Sequence, residues 1–146
     1  MARFVTVESQ VWRDEAFLRL GADARLLFLW AWGNDRAQPS GLYVVERRRM
    51  LTAFSWPEQY RDHKVAVASG YTRLHDALDE LKVKPLMLYD NDHSLLWVVN
   101  RARYANRNMA TQAAIRRGWA EAPDASHLKH MFRSYYRTMF NTTKEA

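Results

Sequence analysis

The chain of 146 residues contains no cysteine. This absence excludes a disulfide framework and any thiolate metal site, and it is typical of proteins from a reducing cytoplasm. The N-terminal residues lack the long apolar segment of a signal peptide. The longest apolar run extends from Leu26 to Trp32, far short of the roughly 20 residues that a membrane span needs. We therefore expect a cytoplasmic protein with no membrane association.

Sequence signatures of enzymes are missing as well. The chain has no Gly-rich phosphate loop, nucleophile elbow or paired-carboxylate signature. His127 and His130 lie three residues apart near Asp124. Without cysteine, these three side chains are too few for a usual zinc site. We expect no catalytic activity, no cofactor and no bound metal.

The charged residues are distributed unevenly along the chain. Residues 1–95 contain 13 Lys and Arg and 13 Asp and Glu, whereas residues 96–146 contain 9 and 3. The whole net charge of +6 therefore lies in the last third of the chain. Such a cluster is typical of a surface that faces a polyanion, although a solvated helical surface is the alternative. Hydrophobic residues make up 48% of the chain, enough to fill the core of a globular domain.

The stretch from Tyr71 to Asn100 indicates the fold. Its first part has apolar residues at the spacing of an amphipathic helix, which Pro85 ends. Two apolar runs follow, joined by the turn residues Asp90 to Ser94, and this pattern predicts a β-hairpin. The apolar helix positions are Leu74, Ala77, Leu78 and Leu81. A short helix that leads directly into a hairpin is typical of the second half of a winged helix-turn-helix domain.

The remaining segments complete an α+β fold that is mostly helical. We predict a winged helix-turn-helix with a small antiparallel sheet over residues 1–104, with an insertion at about 55–70. Residues 105–146 are predicted to form a basic helical C-terminal extension. The predicted additional strands are Arg3–Val7 and Gly41–Val45. An entirely apolar run predicts a buried helix around residues 26–32, and a short helix is predicted at Glu46–Phe54. In the extension, two helices are predicted at Asn108–Ala120 and Asp124–Phe140.

Several segments resemble a known family. They are Trp12-Arg13-Asp14 with Phe17 and Leu20, the run A-R-L-L-F-L-W, Pro39 to Tyr43, the helix L-H-D-A-L-D-E-L and the exit W-V-V-N-R-A-R-Y. Together they are similar to the winged-helix N-terminal domain of phage replisome-organiser and DnaD-type replication initiation proteins. The resemblance implies DNA binding in the initiation of phage or prophage replication, or in its regulation. A helicase-loader-binding or zinc domain, which follows in that family, has no counterpart among these residues.

Candidate DNA-binding residues fall into three groups. The N-terminal residues of a recognition helix reach base edges, and Arg can pair with guanine, so we expect base reading from Thr72, Arg73 and His75. Phosphate contacts are expected from Arg47, Arg48 and Arg49 and from an arginine-rich segment after the hairpin, where Tyr104 can also stack on bases. That segment contributes Arg101, Arg103, Tyr104, Arg107, Arg116 and Arg117, with Lys129, Arg133 and Arg137 as an extension.

The sequence is also compatible with a protein partner in place of DNA. Asp76, Asp79 and Glu80 would repel phosphates, so the recognition helix either enters the groove by its N-terminal end or binds a protein. An adaptor for a host replication or regulatory factor is therefore the alternative function, and a transcriptional repressor of the same fold is a variant of the first. The turn from Asp90 to His93 carries no Lys or Arg, which favours an exposed turn over a DNA-contacting wing. The last amphipathic helix packs on its own domain or on a second copy in a homodimer.

Overall fold

The computed structural model describes residues 6–7, 9–57, 70–105 and 108–140. Short 3-10 turns at Ser9–Arg13, Ala102–Tyr104 and Arg137–Met139 connect or extend the main elements. The helices are α1 (Glu15–Leu18), α2 (Ala22–Gly33), α3 (Arg47–Phe54), α4 (Gly70–Lys82), α5 (Met109–Glu121) and α6 (His127–Tyr135), and the strands are β1 (Leu42–Val44), β2 (Met87–Asp90) and β3 (Leu95–Val98).

The three strands form one antiparallel sheet in the order β1-β3-β2. Strands β2 and β3 are the predicted hairpin, with Leu88 opposite Trp97, and β1 pairs with the other side of β3. The α+β class and the winged-helix layout are thus confirmed, with α3 and α4 as the helix-turn-helix. Most of the predicted strand at Arg3–Val7 lies outside the described residues, and Thr6 and Val7 belong to no strand.

One face of the sheet packs against α2, α3 and α4. Side chains alternate between the faces of a strand, so Tyr43, Leu96 and Val98 point to the same side. They join a core with the buried residues of the three helices. All four apolar positions predicted for the recognition helix, Leu74, Ala77, Leu78 and Leu81, are buried there. This core holds α4 beside the hairpin.

The opposite face of the sheet packs against α5 and α6. Leu42, Leu95 and Trp97 lie on this face and form a second buried cluster with Ile115, Leu128 and Phe132, among others. The sheet is therefore covered on both faces. The separation into a winged domain and an extension stays a prediction.

The burial expected of helix α2 is modified, and the predicted insertion is not tested. Helix α2 was expected to be buried on all sides, but Leu26 is 48% exposed. Its buried positions have the spacing of a single face, and Leu26 points away from that face. These positions are Ala24, Leu27, Phe28, Ala31 and Trp32. Residues 58–69, which make up most of the predicted insertion, lie outside the described residues. The residues that flank them are joined, since the Gly70 N–H donates to the Pro57 carbonyl at 2.7 Å.

None of the helices in the described ranges combines the length and the apolar character that crossing a membrane requires.

Candidate nucleic-acid interface

The contact between α3 and α4 joins two groups of predicted residues. Nη1 of Arg47 lies 3.1 Å from Nε2 of His75, and because arginine has no acceptor, the imidazole nitrogen accepts this hydrogen bond. The same guanidinium lies 5.2 Å from the ring centre of Tyr71. Arg47, predicted to contact phosphates, and His75, predicted to contact bases, therefore lie on one surface of the helix-turn-helix.

Arg73 is held by the protein itself. Its Nε donates to Oδ2 of Asp23 at 2.6 Å, and its Nη2 donates to Oδ1 of the same carboxylate at 2.9 Å. The guanidinium also stacks 4.5 Å from the ring centre of Trp56. A bidentate pair of this kind is strong and oriented, so Arg73 would have to leave Asp23 before reading a base. Thr72, next to it, is exposed on the helix surface.

The three arginines of α3 differ in their surroundings. Arg49 forms two hydrogen bonds to the Asp35 carboxylate, at 2.7 and 3.0 Å. The hydrogen bond and the charge of Arg49 hold the pKa of Asp35 below its usual value. Arg48 is exposed and Arg47 is half-buried. The run Arg47 to Arg49 is therefore not a uniform cationic surface, because the charge of Arg49 is already balanced.

The acidic residues of α4 also have roles inside the chain. Oε1 of Glu80 accepts a hydrogen bond from the Gly21 N–H at 2.8 Å, which satisfies a donor just before α2 begins. Asp79 pairs with Lys82 at 2.9 Å. Asp76 is exposed and has no hydrogen-bonding or ion-pair partner among the described residues. Two of the three carboxylates that favoured an adaptor thus make structural contacts.

The turn of the hairpin is anchored to α6. Asp90, expected in an exposed turn, is only 6% exposed, because Ser126 donates to its Oδ2 at 2.6 Å and Nδ1 of His93 lies 2.8 Å from the same oxygen. Ser126 also accepts from the Leu128 N–H and so caps α6. The expectation of an exposed turn is therefore wrong for Asp90, although Asn91 and Asp92 are exposed.

This arrangement makes the ionised form of Asp90 important for stability. Burial raises the pKa of Asp90, but hydrogen bonds from Ser126, His93 and the Asp92 backbone outweigh burial and place the pKa below its usual value. A carboxyl whose folded pKa lies below its unfolded pKa stabilises the fold above the unfolded value. That stability disappears as the pH falls through the folded pKa.

Asp90→Asn is accordingly expected to lower the free energy of unfolding at neutral pH by about 1.5–3 kcal/mol, the usual contribution of hydrogen bonds to a charged group. The difference from the wild type should shrink as the pH falls below about 3.8, the unfolded value. Urea unfolding at a series of pH values measures it. The exposed neighbour Asp92→Asn is the control, and a difference that does not depend on pH would contradict this role of the charge.

Beyond the hairpin, Arg101 and Tyr104 lie against the same tryptophan. The guanidinium of Arg101 is 5.1 Å from the ring centre of Trp32, and the Tyr104 ring centre is 5.9 Å from it. Arg101 also donates to the Trp32 carbonyl at 3.3 Å. Tyr104 remains 47% exposed, so its ring is accessible to a ligand.

Arg103 points in a different direction, towards α6. It donates to the hydroxyl of Tyr135 at 3.3 Å, and this hydroxyl donates to Oδ1 of Asn100 at 2.8 Å. These contacts connect the segment after the hairpin with the C-terminal end of α6. Arg107 lies outside the described residues.

Helices α5 and α6 carry a second group of arginines, which we call the α5–α6 arginine face. Arg133 stacks against Trp119 and Phe140, with its guanidinium 5.0 and 4.9 Å from their ring centres. Residues three or four apart are neighbours on a helix, so Arg116 adjoins Trp119 on α5. Arg117 is only two residues from Trp119 and lies on another side of α5, and Arg137 follows the end of α6, so the name denotes a group of arginines and not one continuous surface. The face consists of Arg116, Arg117, Arg133 and Arg137.

Lys129, which was expected to extend this basic surface, is only 4% exposed. Its Nζ donates to the carbonyls of Ala120 and Ala122, at 3.2 and 2.8 Å, and to Oδ1 of Asp124 at 2.6 Å. It therefore satisfies carbonyls at the end of α5. No local sequence pattern distinguishes it from Arg133, one turn further along the same helix.

Within the described ranges, both parts of the chain contain ion pairs and also cations without a carboxylate partner. In the winged helix, Arg49, Arg73 and Lys82 each pair with a carboxylate. After the sheet, five arginines have no carboxylate partner within the part of the chain that the structure describes, namely Arg103, Arg116, Arg117, Arg133 and Arg137. Earlier in the chain, Arg13, Arg25, Arg36, Arg47 and Lys84 likewise have no carboxylate partner among the described residues. The C-terminal elements therefore differ in their excess of positive over negative residues, and not in having unpaired cations.

His127 and His130, with Asp124, were considered as metal ligands. Nε2 of His130 contacts the Asp124 backbone carbonyl at 3.2 Å, while the Asp124 carboxylate binds Lys129. No group of three or more potential metal-ligating side chains occurs in the described ranges.

Comparison with known proteins gives no match, since no family model, curated protein or solved structure is significantly similar to this chain.

Proposed function

We propose that the protein is a winged-helix DNA-binding protein of phage or prophage type that acts in the cytoplasm. The observation that carries this proposal is the set of five arginines on the C-terminal elements without a carboxylate partner. Cations left unpaired next to aromatic side chains are suited to phosphates, because binding DNA then breaks no internal ion pair. The phosphate backbone is the main source of affinity in this proposal.

In the proposed complex, few side chains of the protein are available to contact DNA bases. Thr72 and His75 lie at the N-terminal half of α4, the part of a recognition helix that reaches base edges. Arg73 is paired with Asp23, which reduces its availability for guanine. We therefore expect duplex binding that depends strongly on charge and weakly on sequence.

The role in replication initiation, or in its regulation, rests on the resemblance to replisome-organiser and DnaD-type domains. The winged-helix layout is compatible with that role. We do not propose the adaptor function, since Asp79 and Glu80 make contacts within the chain and the acidic surface of α4 is correspondingly reduced.

Binding to duplex DNA should weaken steeply as the salt concentration rises. If all five unpaired arginines contact phosphates, the slope of log K against log salt should be roughly −4.5, from about −0.9 for each contact. Fluorescence anisotropy of a labelled duplex over a series of salt concentrations measures this slope. A failure to bind any duplex at low salt would show the proposal to be wrong, and a slope near −1 would show that the arginines do not act together.

A further inference from the structure

A cavity of about 450 Å³ lies between the N-terminal 3-10 turn, α1, α2 and the segment after β3. Its volume falls within the usual range of small-molecule sites, roughly 300–1,000 Å³. Phe17, Phe28 and Trp32 form its apolar part, and Tyr104 also lines it. The cavity thus includes one of the residues that the sequence indicated for base stacking.

The aromatic rings around the cavity form a continuous row. Phe17 and Phe28 are 5.8 Å apart between ring centres, Phe28 and Trp32 are 5.8 Å apart, and Trp32 and Tyr104 are 5.9 Å apart. Tyr104 is the exposed member, at 47%, whereas the other three are buried. Because only Tyr104 presents an exposed ring, a flat aromatic ligand would stack on Tyr104 at the open end of this row.

Polar side chains complete the lining. Gln10, Arg13 and Asn100 border the cavity, and their amide and guanidinium groups supply the donors and acceptors that the edge of a nucleobase needs. The hydroxyl of Tyr135 donates to Oδ1 of Asn100, so the Asn100 amide nitrogen is directed away from that bond and keeps its donors.

The charge around the cavity favours an anionic ligand. Arg13 is exposed and has no ion-pair partner among the described residues. Arg101 does not line the cavity, but its guanidinium lies 5.1 Å from the ring centre of Trp32, which does. Of the described lining residues, only Asp14 carries a carboxylate, and its Oδ1 accepts the Ala16 N–H at 2.8 Å. A base that carries a phosphate satisfies both the aromatic wall and this positive rim.

We propose that the cavity takes up one unpaired base of a DNA strand, with Tyr104 stacking on the base and Arg13 and Arg101 near its phosphate. This inference rests on the proposed function, because the strand that enters the cavity is the one bound by the arginines after the sheet. It adds a preference for single-stranded or opened DNA, which phosphate contacts alone do not provide.

The test compares two single strands of equal length and charge, an oligothymidylate and an abasic deoxyribose-phosphate oligomer. The wild type should bind the oligothymidylate more tightly by roughly 5- to 150-fold, the range that one stacked base contributes. Two variants should remove this preference. Tyr104→Ala removes the stacking ring, and Val11→Phe fills the cavity from a residue that lines it.

Controls separate loss of the site from loss of the fold. Leu26→Ala changes another exposed apolar side chain, 48% exposed, and should keep the preference. Val11→Phe should retain the duplex affinity of the wild type and its circular dichroism spectrum. Equal affinity of the wild type for the two strands overturns the cavity proposal and leaves the charge-driven binding of DNA intact.

A second measurement keeps the inference testable when no DNA strand binds. Thymidine monophosphate and deoxyribose phosphate are each titrated into the wild type and followed by amide chemical shifts. Shifts near Tyr104 and Asn100 with the nucleotide alone, absent in Val11→Phe, support the cavity as a base site. The same small shifts with both compounds, or no shifts, overturn it.

Discussion

Arg117→Glu with Arg137→Glu is expected to weaken binding of duplex DNA on the order of a hundredfold or more at about 0.1 M salt. Both side chains are exposed, and neither has a hydrogen-bonding or ion-pair partner among the described residues. The double change therefore reverses charge on the α5–α6 arginine face without breaking a contact. If each arginine contacts one phosphate, the salt slope should also become shallower by about 2.

A matched pair of substitutions controls for net charge. Arg19→Glu with Lys84→Glu changes the total charge equally, and both residues lie on the other part of the molecule, near α1 and the end of α4. The change at Arg19 also removes an exposed ion pair with Glu15 at 3.9 Å, so the fold of this variant is checked by circular dichroism. This control should reduce the affinity only slightly, through the long-range field. Equal losses in the two double variants would show that the overall charge attracts DNA, and that the α5–α6 arginine face has no special part.

Because the excess of positive charge lies on the C-terminal elements, the orientation that we expect for the protein on DNA changes. Helix α4 packs on one face of the sheet and α6 on the other, although both contact β2. The turn that would act as the wing is bound to Ser126 through Asp90. A complex that follows the unpaired arginines therefore places DNA against the C-terminal elements, with α4 contributing through its N-terminal end.

Local sequence patterns were sufficient for the main elements of this fold. The positions of Leu74, Ala77, Leu78 and Leu81 predicted α4, and all four are buried. The turn residues between two apolar runs predicted the hairpin. These signals are local because the period of a helix or strand fixes which side chains share a face. The same patterns did not predict the exposure of Leu26, which depends on what packs beside α2.

The candidate site was less predictable, because ion pairs depend on tertiary contacts. Arg73 and Asp23 are 50 residues apart, and Asp90 and Ser126 are 36 apart. No local pattern indicates either pair. Lys129 and Arg133 lie one turn apart on the same helix, yet the first is buried and the second is exposed. The sequence therefore located the positive charge but not the arginines that remain unpaired.

Phe132→Ala is expected to lower the free energy of unfolding by about 3–5 kcal/mol, the usual cost of removing a buried phenylalanine. Phe132 is 0% exposed. Its ring centre lies 5.8 Å from Trp97 of the sheet and 4.9 Å from Tyr136. Since small domains are stable by only about 5–15 kcal/mol, the change removes a large part of the total. Urea unfolding followed by tryptophan fluorescence and circular dichroism measures it.

The same experiment tests the predicted separation of a winged domain from a C-terminal extension. Met131→Ala, at an exposed position of the same helix, is the control and should change the free energy by about 0.5 kcal/mol or less. A single transition that shifts as a whole in Phe132→Ala would show that α5 and α6 unfold together with the sheet that they cover. Two transitions, of which only one shifts, would instead show an extension that unfolds separately from the winged helix. In the first case the helices that carry the α5–α6 arginine face are as rigidly placed as α4, because all three pack on the same sheet.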